Sequence, residues 1–165
     1  MHAVPYLGMA DLKPPRLVSD ERATLLALLQ YQRESFVRKI YGLSEANARR
    51  AFVSSDTTLL WLLRHIARAE QLWFVQRFAG EQVDVGDDIV RADDTVETAI
   101  AAYRATWARV DGIVARSSLD DVCVNVAPES PVNLRWVLMH LLEETARHAG
   151  HADILRELVD GATGR

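Results

Sequence analysis

The hydrophobic residues of this chain recur at intervals of three and four positions in four long segments. That interval places them on one face of an α-helix, which turns once every 3.6 residues. We predict helices over about residues 20–41, 57–78, 94–114 and 134–158. The clearest apolar seam belongs to the third helix and consists of Val96, Ile100, Tyr103, Trp107, Val110 and Val114. Four such helices with moderate connections predict an all-α fold, an antiparallel four-helix bundle.

Residues that favour helix ends support these boundaries. Ser19 is predicted to cap the first helix, and Asp94 with Glu97 has the spacing of a capping box at the start of the third. Glycines follow three of the helices, at Gly42, Gly80 and Gly161. Residues 44–50 predict one short extra helical turn.

The segments between the helices do not predict paired strands. Residues 122–126 alternate weakly between apolar and polar, but the run is short and has no partner. Residues 1–18 are expected to cross the surface as an irregular N-terminal arm. The two longer connections, near 80–93 and 117–133, are expected at the ends of the bundle, where they would shape a pocket.

Composition narrows the class of protein. A length of 165 residues predicts one domain, over residues 1–165. The net charge of −4 argues against nucleic-acid binding, which depends on cationic contacts to phosphate. The sequence contains no stretch of 18 apolar residues, so no membrane span is predicted. The first 15 residues lack the pattern of a secretory signal, and we therefore expect a cytoplasmic protein. The preference for arginine over lysine is typical of GC-rich genomes such as those of actinobacteria.

Several motifs of catalytic chemistry are missing from the sequence. No histidine has a glutamate three residues before it, as a ferritin-like di-iron site requires, and no phosphate loop or nucleophile elbow is present. Cys123 is the one cysteine, so no intrachain disulfide can form. Asp120 and Asp121 precede it, and their charges are expected to raise the pKa of its thiol. We interpret Cys123 as an inert thiol.

The fourth helix carries polar side chains in the middle of its apolar stripe. The three-and-four spacing places six residues on one face: Val137, Leu141, Glu144, His148, His151 and Leu155. If this face packs on the core, Glu144 and His148 are buried together. A buried carboxylate requires compensation by a metal ion or by a cationic partner.

A metal site is one interpretation of this pattern. Glu144 and His148 lie four residues apart, so both can reach one ion, and His65 on the apolar face of the second helix is the candidate third ligand. Two imidazoles and one carboxylate suit Zn²⁺, with Ni²⁺ or Fe²⁺ as alternatives, and leave a coordination position open. The structural alternative is a core histidine at position 65 and a plain Glu144–His148 ion pair.

The remaining histidines compete with this assignment. His151 could replace Glu144 as a ligand, but we favour a place just outside the ligands, as a hydrogen-bond partner or a catalytic proton relay. His140 lies four residues before Glu144 and slightly off the stripe. His2 belongs to the predicted arm.

Two runs of the sequence resemble a known family. LRHIARAEQLWF, which contains His65, and LRWVLMHLLEETARHAGHADILRE, which contains Glu144 and His148, resemble the DinB-like metal-binding four-helix superfamily. The phrase EETARHAGHAD is similar to the actinobacterial branch of mycothiol S-transferases and mycothiol-dependent maleylpyruvate isomerase. The resemblance extends over about residues 17–157. Many members of the wider superfamily have a histidine where this chain has Glu144, whereas the isomerase branch has a carboxylate.

The resemblance implies both ligands and chemistry. Carried over by position, the metal ligands are His65, Glu144 and His148, while the roles of His151 and Asp153 stay open. Members bind a divalent metal, typically zinc, and a low-molecular-weight thiol such as mycothiol, which they transfer to an electrophile or use in isomerisation. A homodimer is consistent with the resemblance. We therefore predict a metal-dependent, mycothiol-using S-transferase active in detoxification; the alternatives are a non-catalytic metal- or ligand-binding stress protein and a structural module.

Overall fold

The computed structural model describes residues 13–125 and 130–163. Its helices are α1 (Glu21–Ile40), α2 (Glu45–Ala48), α3 (Leu59–Glu70), α4 (Val96–Ala115) and α5 (Leu134–Asp160). A π-helical segment, Gln71–Phe78, continues α3. The part of the chain described contains no strand, and Val122 pairs with Asn133 only as an isolated bridge. The all-α prediction is confirmed; His2 and most of the predicted arm lie outside the described residues.

The N-terminal caps of two helices differ from the predicted ones by one residue. Asp20 caps α1, because its carboxylate accepts a hydrogen bond from the Ala23 amide at 2.8 Å, so the prediction of Ser19 was wrong. Thr95 caps α4 and forms a capping box with Thr98, in place of Asp94 and Glu97. The Asp94 carboxylate is instead occupied by Arg64 and by the backbone amide of residue 91.

Helices α1 and α5 lie side by side and run in the same direction. Glu21 near the start of α1 forms a 2.7 Å ion pair with Arg135 near the start of α5. Lys39 near the end of α1 forms a 2.5 Å ion pair with Asp153 towards the end of α5. The matching order of these contacts defines a parallel pair.

Helices α3 and α4 form the second parallel pair. Arg64 contacts Asp94, just before α4, at 2.8 Å. Further along, the Gln71 side chain donates a 3.0 Å hydrogen bond to Thr106. The long connection 79–95 allows this direction, because it carries the chain back along α3 before α4 begins.

The two pairs run in opposite directions. The ring of Trp73 lies 5.0 Å from that of Trp136, whereas the ring of His65 lies 4.9 Å from that of His148. Residue numbers therefore rise along α3 as they fall along α5. The bundle is antiparallel between its pairs, and α3 and α5 face each other along the polar part of the predicted stripe.

The end of the π-helical segment depends on a glycine. The amide of Ala79 bonds to the carbonyl of Phe74, a five-residue step that widens the helix. Gly80 then turns the chain with φ of +70°, and a Cβ there would lie 2.6 Å from a Val124 methyl. Only glycine combines that conformation with so close an approach.

A buried polar cluster separates two apolar regions of the core. Arg33 forms a bidentate ion pair with Glu70 at 2.9 and 2.5 Å, and Tyr103 donates a 2.9 Å hydrogen bond to the same carboxylate. All three side chains are essentially inaccessible to solvent. One apolar region packs around Phe36 and the other around Phe74. None of the helices described is long and apolar enough to cross a membrane.

Candidate metal centre

His65 lies halfway along α3, between an aromatic ring and a carboxylate. Its imidazole stacks on the Trp61 ring, with centroids 4.9 Å apart and an interplanar angle of 10°. Its Nδ1 atom lies 3.1 Å from an oxygen of Asp88. Because an ionised carboxylate only accepts hydrogen bonds, the contact holds the imidazole proton on Nδ1 and leaves the Nε2 lone pair free. This is the second contact that metal-binding histidines commonly make.

Asp88 reaches His65 because the connection after α3 folds back over that helix. Arg68 on α3 donates a 3.0 Å hydrogen bond to the carbonyl of Gly86 and so holds this connection in place. The other carboxylate oxygen of Asp88 is buried and accepts no hydrogen bond from the described residues. Asp88 is not among the residues predicted for the site, because no helical periodicity relates it to a residue 23 positions earlier.

Glu144 and His148 lie one turn apart on α5. A carboxylate oxygen of Glu144, Oε2, lies 3.2 Å from His148 Nε2, and its Oε1 is 2.5 Å from the Arg147 guanidinium. The two side chains are partly buried, at 19% and 12% exposure. Oε2 itself is inaccessible to solvent and accepts no hydrogen bond of good geometry from any described residue. Such an oxygen is unfavourable unless a cation lies nearby.

The protonation states of this pair suit metal ligands. Burial lowers the pKa of His148, and the neighbouring His65 lowers it further, so the imidazole is neutral at neutral pH. Burial alone would raise the pKa of Glu144, but the hydrogen bond and charge of Arg147, with His148, outweigh it and lower that pKa. The carboxylate is therefore ionised beside a neutral imidazole.

The structure brings the three predicted ligands onto facing surfaces of α3 and α5. The rings of His65 and His148 approach to 4.9 Å at an angle of 73°. Within residues 13–125 and 130–163, however, no three His, Cys, Asp or Glu side chains are already arranged to enclose a metal ion. The carboxylate of Glu144 is drawn towards Arg147, which lies on the outer side of α5.

The other polar residues of the fourth helix have separate surroundings. His151 is exposed, and its Nδ1 lies 3.4 Å from Nδ1 of His148. His140 stacks on Trp136, with ring centroids 4.8 Å apart. Asp153 forms the ion pair with Lys39 that joins α5 to α1. The apolar ends of the predicted stripe are buried, as expected.

Cys123 is buried and lines a groove together with Trp73 and Trp136. Burial raises the pKa of its thiol, while the charge of Arg77 acts in the opposite direction. The expected direction is confirmed, but the expected cause was wrong. The carboxylate of Asp120 turns away to Arg135, at 2.6 Å, and that of Asp121 accepts a hydrogen bond from the Ser118 amide.

The fold and the order of its helices define an all-α bundle of the DinB-like class. Within this class the chain belongs to the mycothiol S-transferase family, whose sequence model matches residues 24–161. A solved structure described as a conserved protein of locus from Enterococcus faecalis has the same fold. It is 20% identical, with a TM-score of 0.60, and the match covers 88% of this chain and 100% of that one. No curated protein matches the chain.

Proposed function

We propose that the protein is a metal-dependent S-transferase that joins mycothiol to small electrophiles. His65, Glu144 and His148 would hold one divalent ion between α3 and α5. The observation that carries this proposal is the buried Oε2 atom of Glu144, which has no hydrogen-bond donor among the residues described but faces a neutral imidazole from its own helix. A second imidazole approaches from the facing helix. A cation at this position would compensate the buried charge.

The donor set suits Zn²⁺ best, with Ni²⁺ and Fe²⁺ as alternatives. Three protein ligands leave a position for a thiol, and a bound divalent metal makes a thiol acidic enough to react as thiolate at neutral pH. To reach the ion, the Glu144 carboxylate must turn inwards from Arg147, a rotation that this partly exposed pair allows. Asp88 would keep Nε2 of His65 available by holding the proton on Nδ1.

His151 is suited to carry the proton released by the thiol. Its imidazole is exposed to water and contacts His148, so it connects the centre to solvent without occupying it. Imidazoles exchange protons close to neutral pH. The thiol sulfur would form a bond to the electrophilic carbon as the bond from that carbon to its leaving group breaks. The leaving group would depart with the bonding electron pair, and His151 would pass the thiol proton to water. We therefore assign His151 to proton transfer and not to metal binding.

An apolar groove next to His151 supports a hydrophobic electrophile. The groove has a volume of about 270 Å³, and Val53, Ile154 and Leu155 contribute its walls. Ser55 and Thr57 add hydroxyl groups at its rim. A small electrophile with an apolar body would lie within reach of the proposed thiol position.

A specific observation favours a second candidate, a module without turnover. Glu144 already forms an ion pair with Arg147 within one helix, and pairs at this spacing stabilise helices without any metal. Such a protein would contain no stoichiometric metal. A third form, a metal- or ligand-binding stress protein, would contain the metal but show no thiol-dependent reaction.

Elemental analysis of the untagged protein, combined with a thiol-transfer assay, separates these candidates. We expect about one zinc per chain and turnover of mycothiol with a chromogenic electrophile. His148→Ala should abolish stoichiometric metal and Glu144→Gln should reduce the affinity at least about tenfold. His151→Ala is the matched control, which keeps the metal but loses activity. Full metal content in both ligand variants would refute the ligand assignment, and metal without turnover would favour the binding protein.

A further inference from the structure

A second groove opens at the opposite end of the candidate centre from His151. We call it the aromatic groove; its volume is about 340 Å³, and its walls include Trp73, Arg77, Asn125 and Trp136. The two indole rings lie 5.0 Å apart at an angle of 50°. Trp136 is 42% exposed, an unusual position for so large an apolar side chain.

The spacing along both helices connects this groove to the candidate centre. Trp73 follows His65 by eight residues, and Trp136 precedes Glu144 by eight residues. Because α3 and α5 are antiparallel, both indoles lie at the same end, and eight helical residues rise about 12 Å. His140 lies between them and the centre, with its ring 4.9 Å from Trp73 and 4.8 Å from Trp136. A molecule with its sulfur at the centre and a bulky group about 12 Å away would reach the groove.

The groove combines aromatic faces with polar edges. The Arg77 guanidinium lies over the Trp73 ring, 4.2 Å from its centroid, and the amide of Asn125 donates to the Arg77 carbonyl at 2.9 Å. The Asn125 side chain is itself anchored, donating a 2.9 Å hydrogen bond to the carbonyl of Gln76. Sugar and cyclitol rings have apolar C–H faces that pack on indoles, and hydroxyl edges that bond to polar rims.

We propose that the aromatic groove binds the carbohydrate portion of a glycosylated thiol. The identity of that thiol rests on the proposed function, because mycothiol consists of an acetylated cysteine joined to glucosamine and inositol. The cysteine sulfur would lie at the candidate centre, and the two rings would extend past His140 onto the indole of Trp136. The groove would then distinguish mycothiol from thiols that lack a sugar.

A binding experiment tests the groove independently of catalysis. The probe is glucosaminyl-inositol, which has the two rings but no thiol, titrated by tryptophan fluorescence and by calorimetry. Trp136→Ala should weaken its binding at least about tenfold, because it removes the aromatic face on which a sugar ring would pack. Trp136→Phe should retain most of the affinity. Met139→Ala, on the same helix and 56% exposed but outside the groove, is the matched control.

A kinetic experiment tests the connection between the groove and the centre. For Trp136→Ala we expect about a tenfold increase in KM for mycothiol, an unchanged kcat, and an unchanged KM for N-acetylcysteine. Equal probe binding by Trp136→Ala and the wild type, or no binding at millimolar probe, would overturn the proposal. An equal effect on both thiols would overturn it as well. A lack of turnover with either thiol would contradict the proposed function, and the probe titration would then decide on the groove.

Discussion

Replacement of Asp88 by asparagine is the sharpest test of how the candidate centre is organised. The change keeps the shape of the side chain but removes the charge that lies 3.1 Å from Nδ1 of His65. An amide can also present its NH₂ group to Nδ1, which would move the imidazole proton to Nε2 and block that atom as a ligand. We therefore expect weaker metal binding although Asp88 is outside the proposed ligand set.

The expected magnitude follows from the exposure of the pair. Carboxylates that orient a metal-binding histidine typically contribute 10- to 100-fold in affinity, or about 1.4–2.7 kcal/mol. His65 and Asp88 are each 26% exposed, so water screens their interaction in part. We expect the lower end, about a tenfold increase in the dissociation constant for Zn²⁺.

Asp87→Asn provides a matched control next to Asp88 in the sequence. The Asp87 carboxylate is exposed, forms an ion pair with Arg91 at 3.1 Å and accepts a 3.1 Å hydrogen bond from the Ile89 amide. Zinc affinity would be measured by competition with a chromophoric chelator, and the tautomer of His65 by nitrogen NMR. A change below twofold in Asp88→Asn, equal to that in Asp87→Asn, would refute the orienting role. A loss above about a thousandfold would instead indicate that Asp88 is a ligand itself.

Two further predictions concern stability. Glu70→Gln should lower the free energy of unfolding by about 3 kcal/mol and the melting temperature by roughly 6–12 °C, because it removes the buried carboxylate from Arg33 and leaves that charge with the 58% exposed Asp111 at 3.3 Å. A melting temperature within about 2 °C of the wild type, by circular dichroism, would contradict this. Gly80→Ala should cost about 1 kcal/mol more than Gly86→Ala in urea unfolding, because both positions have positive φ but only the first approaches Val124, which is exposed and can partly move aside. Equal costs for the two glycine variants would show that the close contact has no effect.

The sequence alone determined the helices and the helix faces, because these features depend on residues three or four positions apart. The apolar period located the helices, and the same period placed Glu144 and His148 on one surface of α5, because any helix over that segment brings residues four apart together. The one-residue errors at the caps have a local cause as well. Several side chains near the start of a helix can accept hydrogen bonds from its free backbone amides. Which of them does so depends on whether its oxygens already have other partners, as those of Asp94 do.

Only the tertiary structure decided which surfaces meet. Asp88 contacts His65 because a connection without helical period folds back over α3, and Asp153 is held by Lys39 because α1 runs parallel to α5. Trp73 and Trp136 form one groove because α3 and α5 face each other in opposite directions. Each of these contacts joins residues distant in the chain, and helical periodicity carries no information about distant partners. Their positions follow from the packing of the whole bundle, in which buried side chains must fill space and find partners together.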